Sequence, residues 1–471
     1  MRTILHIDFN SYFATVEQQA NPRLRGKPVG VTGGDRFKRT VLGAASVEAK
    51  KFGVKTGMRI PEALKLCPRL ILVKGDSYKY LESTKRFLNI LKDYSPYVEV
   101  FSIDEVFLEL RNFSWGPVRS QPQKCPRSLP FAAGSFWGAP LPATPAKNYP
   151  LSPLETALDI KRRISEEVGE WVKCSIGISY NRRMAKLAGS LYKPDGLVVI
   201  ADEEGARFIL DRVELDEICG IGFAIKKRLN NMGVFSFKDL RKVPLEALLA
   251  SFKSYGKVLF DLSRGIDETS VLPFYEKEEV KSVGHRYTID HDTKDLAEIK
   301  QVLLKLVELI AKRLRTKKLV GKTVSIWVRN AFKPHLRGEV IAKPVAHLGG
   351  EFAHPRGELG GGGFQGAGMQ ATIAFTDSGM EIFNGAWKSF LKIWDGSEIR
   401  MVGVSVSNLK PKNPENLTFL EDKLRIEKLT KIMDEVNNRY GDFTLQRGVL
   451  LGSRKVKRMP NPFLADYRFK I

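Results

Sequence analysis

No run of about 18 apolar residues exists in the sequence, so no segment reads as a membrane span. The four cysteines, Cys67, Cys125, Cys174 and Cys219, show no C-x-x-C spacing. Neither a zinc site nor a disulfide framework is suggested, and a reducing cytoplasm is the expected setting. Six scattered histidines lack metal-ligand spacing; His347 and His354 fall in a glycine-rich stretch and are assigned nothing. No cleavable leader is expected, since Arg2-Thr3-Ile4-Leu5-His6-Ile7 reads as a strand-like pattern. Acid is the scarcer charge. Asp and Glu number 53 against 76 Lys and Arg, a formal net charge of +23 spread along the chain. That balance favours a polyanionic partner, nucleic acid before a membrane surface, although a generally basic solvated surface accounts for charge alone.

What is present is an α/β (α+β), multidomain pattern. At 471 residues the chain exceeds one ordinary core, which predicts about two to four domains. Ile4, Leu5 and Ile7 mark a strand, and Tyr12, Phe13, Val16 and Gln19 continue at helical spacing. Residues 22–76 read as short elements between turns. A helix is predicted near Tyr78–Tyr94, then a strand or hairpin over Val98–Leu110. Residues 112–152 hold eight of the 24 prolines and no Asp or Glu, which predicts a loop insertion. Beyond it the pattern predicts helix Leu154–Trp171, strand Lys173–Ser179 and helix Asn181–Tyr192. Residues 201–272 read as a small helical unit with a helix over Ala224–Asn231. Pro273–Glu279 reads as a linker to a second α/β unit: strand 280–289, helix 295–316, strand 322–329, strand 370–376, helix 379–394 and strand 401–408. Residues 343–369, with nine glycines, read as a second loop insertion. The tail carries a helix around Leu424–Tyr440 and a basic end, Arg454–Arg458.

Three carboxylates stand out. Asp8 ends an apolar strand, and Asp104-Glu105 sit in another apolar strand pattern. Acids there are costly to bury unless a cation compensates them, and oxygen-only ligands suit Mg²⁺. Adjacent strand residues point to opposite faces, so Asp104 and Glu105 share a site only at a bend or sheet edge. The alternative is one solvent-facing acid and one capping acid. Phe9-Asn10-Ser11-Tyr12-Phe13 lies at a strand-to-helix turn whose free N–H groups can hold phosphates. Phe13 can sit under a sugar ring, while core packing is the common fate of paired aromatics such as Tyr12 and Phe13. Lys50 lies on a short helix with Glu48, where a solvated face is the plainer reading. Lys193 lies at a helix end, where a cation is favourable anyway. Gly220-Ile221-Gly222 between apolar helices is like a helix-hairpin-helix, with Lys226, Lys227 and Arg228 adding charge.

Taken together, these residues resemble the Y-family DNA polymerases, in the DinB or polymerase IV branch. The matching blocks are His6–Ala14, Lys51–Met58, Ser102–Glu105, Ser175–Asn181, Lys193–Gly196 and Gly220–Gly222, with Gly403–Asn408 similar to a final strand. The resemblance implies a right-hand architecture with a mixed-sheet palm (1–20 and 77–200), small fingers (21–76) and a helical thumb (201–272). A linker (273–280), an α/β little finger (281–410) and a C-terminal extension (411–471) complete it. It implies a low-fidelity, lesion-bypass polymerase adding deoxynucleotides to a primer 3′-hydroxyl with two Mg²⁺ ions. Asp8, Asp104, Glu105 and the main chain of Phe9 are the implied metal ligands, and the three acids the implied catalytic set. Asn10, Ser11, Tyr12, Phe13, Lys50 and Lys193 are the implied nucleotide contacts, with Phe13 as steric gate against ribonucleotides. Gly220, Gly222, Lys226, Lys227 and Arg329 are the expected DNA contacts. Primer-template DNA and deoxynucleoside triphosphates are the expected partners of a monomer, and a sliding clamp is a candidate third. Gln446–Leu451 matches a clamp peptide poorly and reads as a buried strand. The chain departs from the family at Val47 and Lys50, where Tyr and Arg usually stand; Lys offers charge without the bidentate fork of Arg. A catalytically inactive scaffold and a non-catalytic DNA-binding protein are the alternatives.

Overall fold

A computed structural model describes residues 2–33, 41–111, 152–276, 279–331, 366–412 and 421–450. Residues up to Glu276 form one compact unit and those from 279 to 450 a second. Most of the insertion at 112–152, the stretch 343–365 and the basic end Arg454–Arg458 lie outside the described residues.

The first unit is organised by strand β1 (Thr3–Phe9) and helix α1 (Tyr12–Ala20). A small sheet follows, built from β2 (Val29–Thr32), β3 (Ala44–Ala45) and β4 (Ile71–Lys74). It carries the short helices α2 (Val47–Lys50) and α3 (Ile60–Leu66). The helix predicted near 78–94 is α4 (Ser77–Lys92), whose first turn Asp76 caps through Tyr78 N and Lys79 N. Next come the hairpin β5 (Val98–Ser102) and β6 (Glu105–Leu110), then α5 (Pro153–Arg163), β7 (Cys174–Ser179), α6 (Arg182–Leu191) and β8 (Leu197–Ile200). The helix expected over Leu154–Trp171 is shorter. After Arg163 it widens into a single π-turn, Ile164–Val168, and Gly169 at φ 144 ends it.

Strand order in the main sheet is β5-β6-β1-β7-β8, with β8 parallel to β7 and the other neighbours antiparallel. The N-terminal strand is therefore central. Pairing sets the rows Glu105–Asp8–Ser175 and Phe107–His6–Gly177 on one face. α6 lies directly on that face, because Gly177 has no side chain. A Cβ there would come within 2.1 Å of the Ala185 carbonyl. Phe9 points the other way and stacks on Phe87 of α4 at 4.0 Å between ring centroids. Five helices follow: α7 (Glu203–Leu210), α8 (Phe223–Asn231), α9 (Phe237–Lys242), α10 (Leu245–Phe252) and α11 (Tyr255–Leu262). They close a core that includes Leu229, Phe237 and Leu259.

The second unit is an antiparallel sheet in the order β11-β10-β12-β9. Its strands are β9 (Ser282–Thr293), β10 (Leu319–Asn330), β11 (Gly366–Thr376) and β12 (Ile399–Pro411). α12 (Leu296–Thr316) and α13 (Gly379–Ile393) cover one face over Val324, Ile326, Val328, Val402, Val404 and Val406. Thr323, Ser325, Trp327 and Arg329 face the other side, as the alternation predicts. β11 begins four residues inside the expected glycine-rich loop. Gly366 and Gly368 are strand residues opposite Arg329 and Trp327, where a missing side chain leaves room for large neighbours. α14 (Glu421–Tyr440) is pinned to α12 by the two-pronged Asp434–Arg315 pair. The segment read as a strand at Gln446–Leu451 instead makes a 3-10 turn, Gly448–Leu450, with Leu450 buried in the core and Val449 exposed.

Candidate active site

The difficulty of two adjacent acids is resolved by the hairpin. Asp104 sits in the turn between β5 and β6, and Glu105 is the first residue of β6, directly opposite Asp8. The backbone N–H of Phe9 donates to the Asp104 carbonyl at 2.9 Å, clipping the end of β1 to that turn. Asp8, Glu105 and His6 form the tight group, with one ligand atom from each lying within 4.8 Å of the others. Asp104 stands outside that group. Its carboxylate accepts from the Ser102 hydroxyl at 2.5 Å. Burial holds the Asp104 carboxyl above the usual carboxylate range, the Ser102 bond opposes this, and the negative charge of Asp8 adds to the rise.

Cations face these acids from the α6 side. Lys193 Nζ is 2.8 Å from Asp8 Oδ2, and the Lys186 ammonium contacts Glu105. His6 Nε2 lies 2.6 Å from Glu105 Oε1. Burial, with Lys186 second, lowers the His6 pKa to about 3, so a neutral imidazole donates its Nε2–H to the carboxylate. Its Nδ1 is buried without a partner among the described residues. His6 and Lys186 were not singled out from the sequence. They meet Glu105 across 99 and 81 residues, and no local spacing signals that.

The turn after β1 divides the expected nucleotide contacts. Ser11 takes the left-handed conformation at φ 50, and its hydroxyl is buried without a partner among the described residues. Tyr12 turns its side chain into the core. Its side chain is 2% exposed, with the hydroxyl donating to the Tyr80 carbonyl and meeting Thr84, so the ring is core and cannot line a substrate site. Asn10 is likewise turned inward, its side chain donating to Ser175 Oγ at 3.0 Å and accepting from Asp195 N–H at 2.7 Å. It supports the turn that carries Lys193. Lys161 braces the same turn, reaching the Asp195 carbonyl and carboxylate and the Cys174 carbonyl. Phe13 is half-exposed, its ring stacked on Tyr80 at 4.6 Å, and the Tyr80 hydroxyl donates to buried Glu17 at 2.7 Å. On α2, Lys50 lies in the field of Lys193 and Asp8; burial and then Lys193 lower its pKa, with Asp8 opposing.

Elsewhere, Gly220 takes φ 113, and its carbonyl accepts from the Tyr255 hydroxyl at 2.7 Å. Gly222 caps α8 without a side-chain bond. Lys226 is tied to Asp216 at 2.7 Å and Glu214 at 3.1 Å, so its charge is already compensated, whereas Lys227 is exposed. Arg329 is half-exposed; burial, then Arg286 and Arg400, lower its pKa.

Comparison with known proteins agrees with this arrangement. Residues 7–190 match the impB/mucB/samB family, 280–419 its C-terminal domain, and 216–267 a DNA polymerase-iota thumb domain. The chain is 32% identical to DNA polymerase IV of Pelotomaculum thermopropionicum, over 97% of each chain. It is 31% identical to that of Moorella thermoacetica, over 95% of this chain and 96% of the relative. For Clostridium perfringens DNA polymerase IV the figure is 34%, over 70% of this chain and 82% of the relative. Among solved structures, a chimaeric Y-family DNA polymerase superposes with a TM-score of 0.63 at 21% identity, covering 87% of this chain and 99% of that one. By these matches the chain belongs to the Y-family of DNA polymerases, in the DNA polymerase IV branch.

Proposed function

We propose that this translesion DNA polymerase adds deoxynucleotides to a primer 3′-hydroxyl at the Asp8–Asp104–Glu105 cluster, with Mg²⁺ held by those carboxylates and the Phe9 carbonyl. The observation that carries the reading is the facing of Asp8 and Glu105 across one sheet row, with the Asp104 turn clipped to the end of β1. An all-oxygen donor set beside a buried, repelled carboxylate fits a hard divalent cation. Two such ions, when bound, supply a more acidic primer hydroxyl and neutralise the triphosphate and the leaving pyrophosphate.

The remaining work falls to the chain itself. His6 and Lys186 hold Glu105, which fixes one rim of the site. Lys193 and Lys50 lie where a triphosphate tail meets Asp8, and each offers a point charge; neither can grip two oxygens in the manner of Arg. The start of α1 presents the backbone N–H groups of Ser11 and Tyr12, those of Phe9 and Asn10 being taken by the Asp104 and Lys173 carbonyls, and Phe13 supplies a rigid edge against the sugar C2′. Residues 1–20 and 77–200 act as palm, 21–76 as fingers, 201–272 as thumb and 281–410 as little finger. Gly220, Gly222 and Lys227 approach DNA phosphates, and Lys226 adds little because its charge is compensated. The enzyme is taken to work as a monomer in the cytoplasm. A clamp finds little at Gln446–Leu450, where Leu450 is buried and Val449 is the one exposed large apolar side chain.

Primer extension with and without Mg²⁺ tests the reading. Asp8→Ala, Asp104→Ala and Glu105→Ala should each lower extension by about a hundredfold or more, with primer-template affinity nearly unchanged. Wild-type extension by Glu105→Ala would remove that residue from the mechanism, and extension without divalent metal would sink the whole reading.

A further inference from the structure

The face of the second sheet that the helices leave uncovered has an unusual make-up. Across its middle, pairing sets Gly368, Trp327, Gly403 and Arg286 side by side on β11, β10, β12 and β9. The neighbouring row is Gly366, Arg329, Met401 and Thr288, and the row on the other side is Gln370, Ser325, Ser405 and Gly284. No Asp or Glu occurs in Ser282–Thr288, Thr323–Arg329, Gly366–Thr376 or Met401–Ser407. These three rows bear no acid, and the one aromatic side chain on them is Trp327.

That side chain lies across a glycine. A Cβ on Gly403 would meet the Trp327 indole at 2.1 Å, and 2.5 Å from its Nε1. The indole therefore rests on bare backbone, reaching over β12. Its N–H donates to no group among the described residues, although the ring is half-buried. Arg286 is exposed and has no ion-pair partner among the described residues. A neutral donor between guanidinium groups, on a floor of Gly, Ser and Thr, suits an anion that runs along a surface. There is no second aromatic wall on these rows to grip a splayed base, which single-strand binding needs.

We propose that Trp327 is a DNA contact, donating its indole N–H to a backbone phosphate of the primer-template duplex between the charges of Arg286 and Arg329. The inference rests on the reading that this face meets DNA. It adds a contact whose strength does not come from counterion release, since the donor is neutral. Gly403 is its positioning residue, because any side chain there displaces the indole.

Equilibrium binding of the full chain to a fluorescent primer-template duplex, over a salt series, tests this. Trp327→Phe keeps a ring and removes the N–H; it should weaken binding about tenfold at every salt concentration, leaving the slope of log K against log salt unchanged. Gly403→Ala should weaken binding as much, and the double variant hardly further. Arg286→Ala and Arg329→Ala should each reduce the slope by about 0.9. Thermal unfolding of each variant separates lost contact from lost fold, and Trp327→Phe is the conservative arm. Wild-type affinity in Trp327→Phe, or a slope reduced as in the Arg variants, overturns the proposal. If both Arg variants keep the wild-type slope, the DNA-facing reading of the sheet fails instead, and the Trp327 assignment falls with it.

Discussion

In the first unit the row Glu105–Asp8–Ser175 crosses the sheet under α6, and each acid on it is met by a cation or a donor. In the second unit the row Gly368–Trp327–Gly403–Arg286 crosses an uncovered face, and neither it nor the row on either side bears an acid. Both sheets carry helices on at least one face. They differ in where charge is placed and how it is compensated. Burial at the strand end, with repulsion from Asp8 adding to it, raises the Asp104 pKa, a state that a bound cation relieves. A face of small neutral residues with a few guanidinium groups has nothing to relieve, and attracts polyphosphate from a distance. One sheet is arranged for chemistry on small ions and the other for holding a long one.

The sharpest way to break this division is through sugar selection, which should belong to the first unit alone. Phe13→Ala removes the ring edge stacked on Tyr80 and leaves all three carboxylates in place. Ribonucleotide incorporation should rise by about two orders of magnitude, from overlap worth about 1–3 kcal/mol, while duplex affinity stays at the wild-type value. Single-nucleotide kinetics with paired ribo- and deoxyribonucleotides give the ratio. Unchanged discrimination would show that another residue lines C2′.

A smaller effect is expected from Asn10→Ala. The change leaves Ser175 Oγ and the Asp195 N–H without the partner they share, so the turn bearing Lys193 loosens. The KM for nucleotide should rise about tenfold, with DNA affinity again untouched. Equal losses in both would mean that the two sheets are not functionally separate.

The mildest test is acidification of the second unit. Burial, and then Arg313, lower the His285 pKa from 6.5 to about 4. On acidification the unfolded chain takes the proton first. Stability is therefore full above pH 6.5 and is lost as the pH falls from about 6.5 to about 4, by about 3 kcal/mol in all. His285→Leu should flatten that part of the stability profile for the second unit. Denaturant melts from pH 7 to 4 would show an unchanged slope if His285 were not the cause.

Much of the fold was legible because its signals are local. Ile4, Leu5 and Ile7 before Asp8 mark a strand ending in an acid, and the spacing of Tyr80, Phe87 and Leu91 marks α4. The bend that Asp104 and Glu105 require is likewise there, as the turn of a hairpin. What the sequence hid depends on register. Nothing near Asn10 tells that its amide serves Ser175 and Asp195, 165 and 185 residues on. Tyr12 and Phe13 are adjacent aromatics, and only the helix direction decides that one is buried and the other forms an edge. Gly366 and Gly368 read as loop because glycine favours turns. They are strand residues because Arg329 and Trp327 stand opposite and take the space.

The central position of β1 has a consequence for how the polymerase comes into being. The strand made first has one neighbour from residues 105–110 and another from 174–179. All three acids precede residue 111, whereas Lys186 and Lys193 follow residue 152. No contiguous stretch of the early chain therefore contains the site. While the ribosome is still short of β7, the nascent product has crowded carboxylates and none of the α6-side ammonium groups that balance them. Competence arrives late, when the sheet closes around its oldest strand.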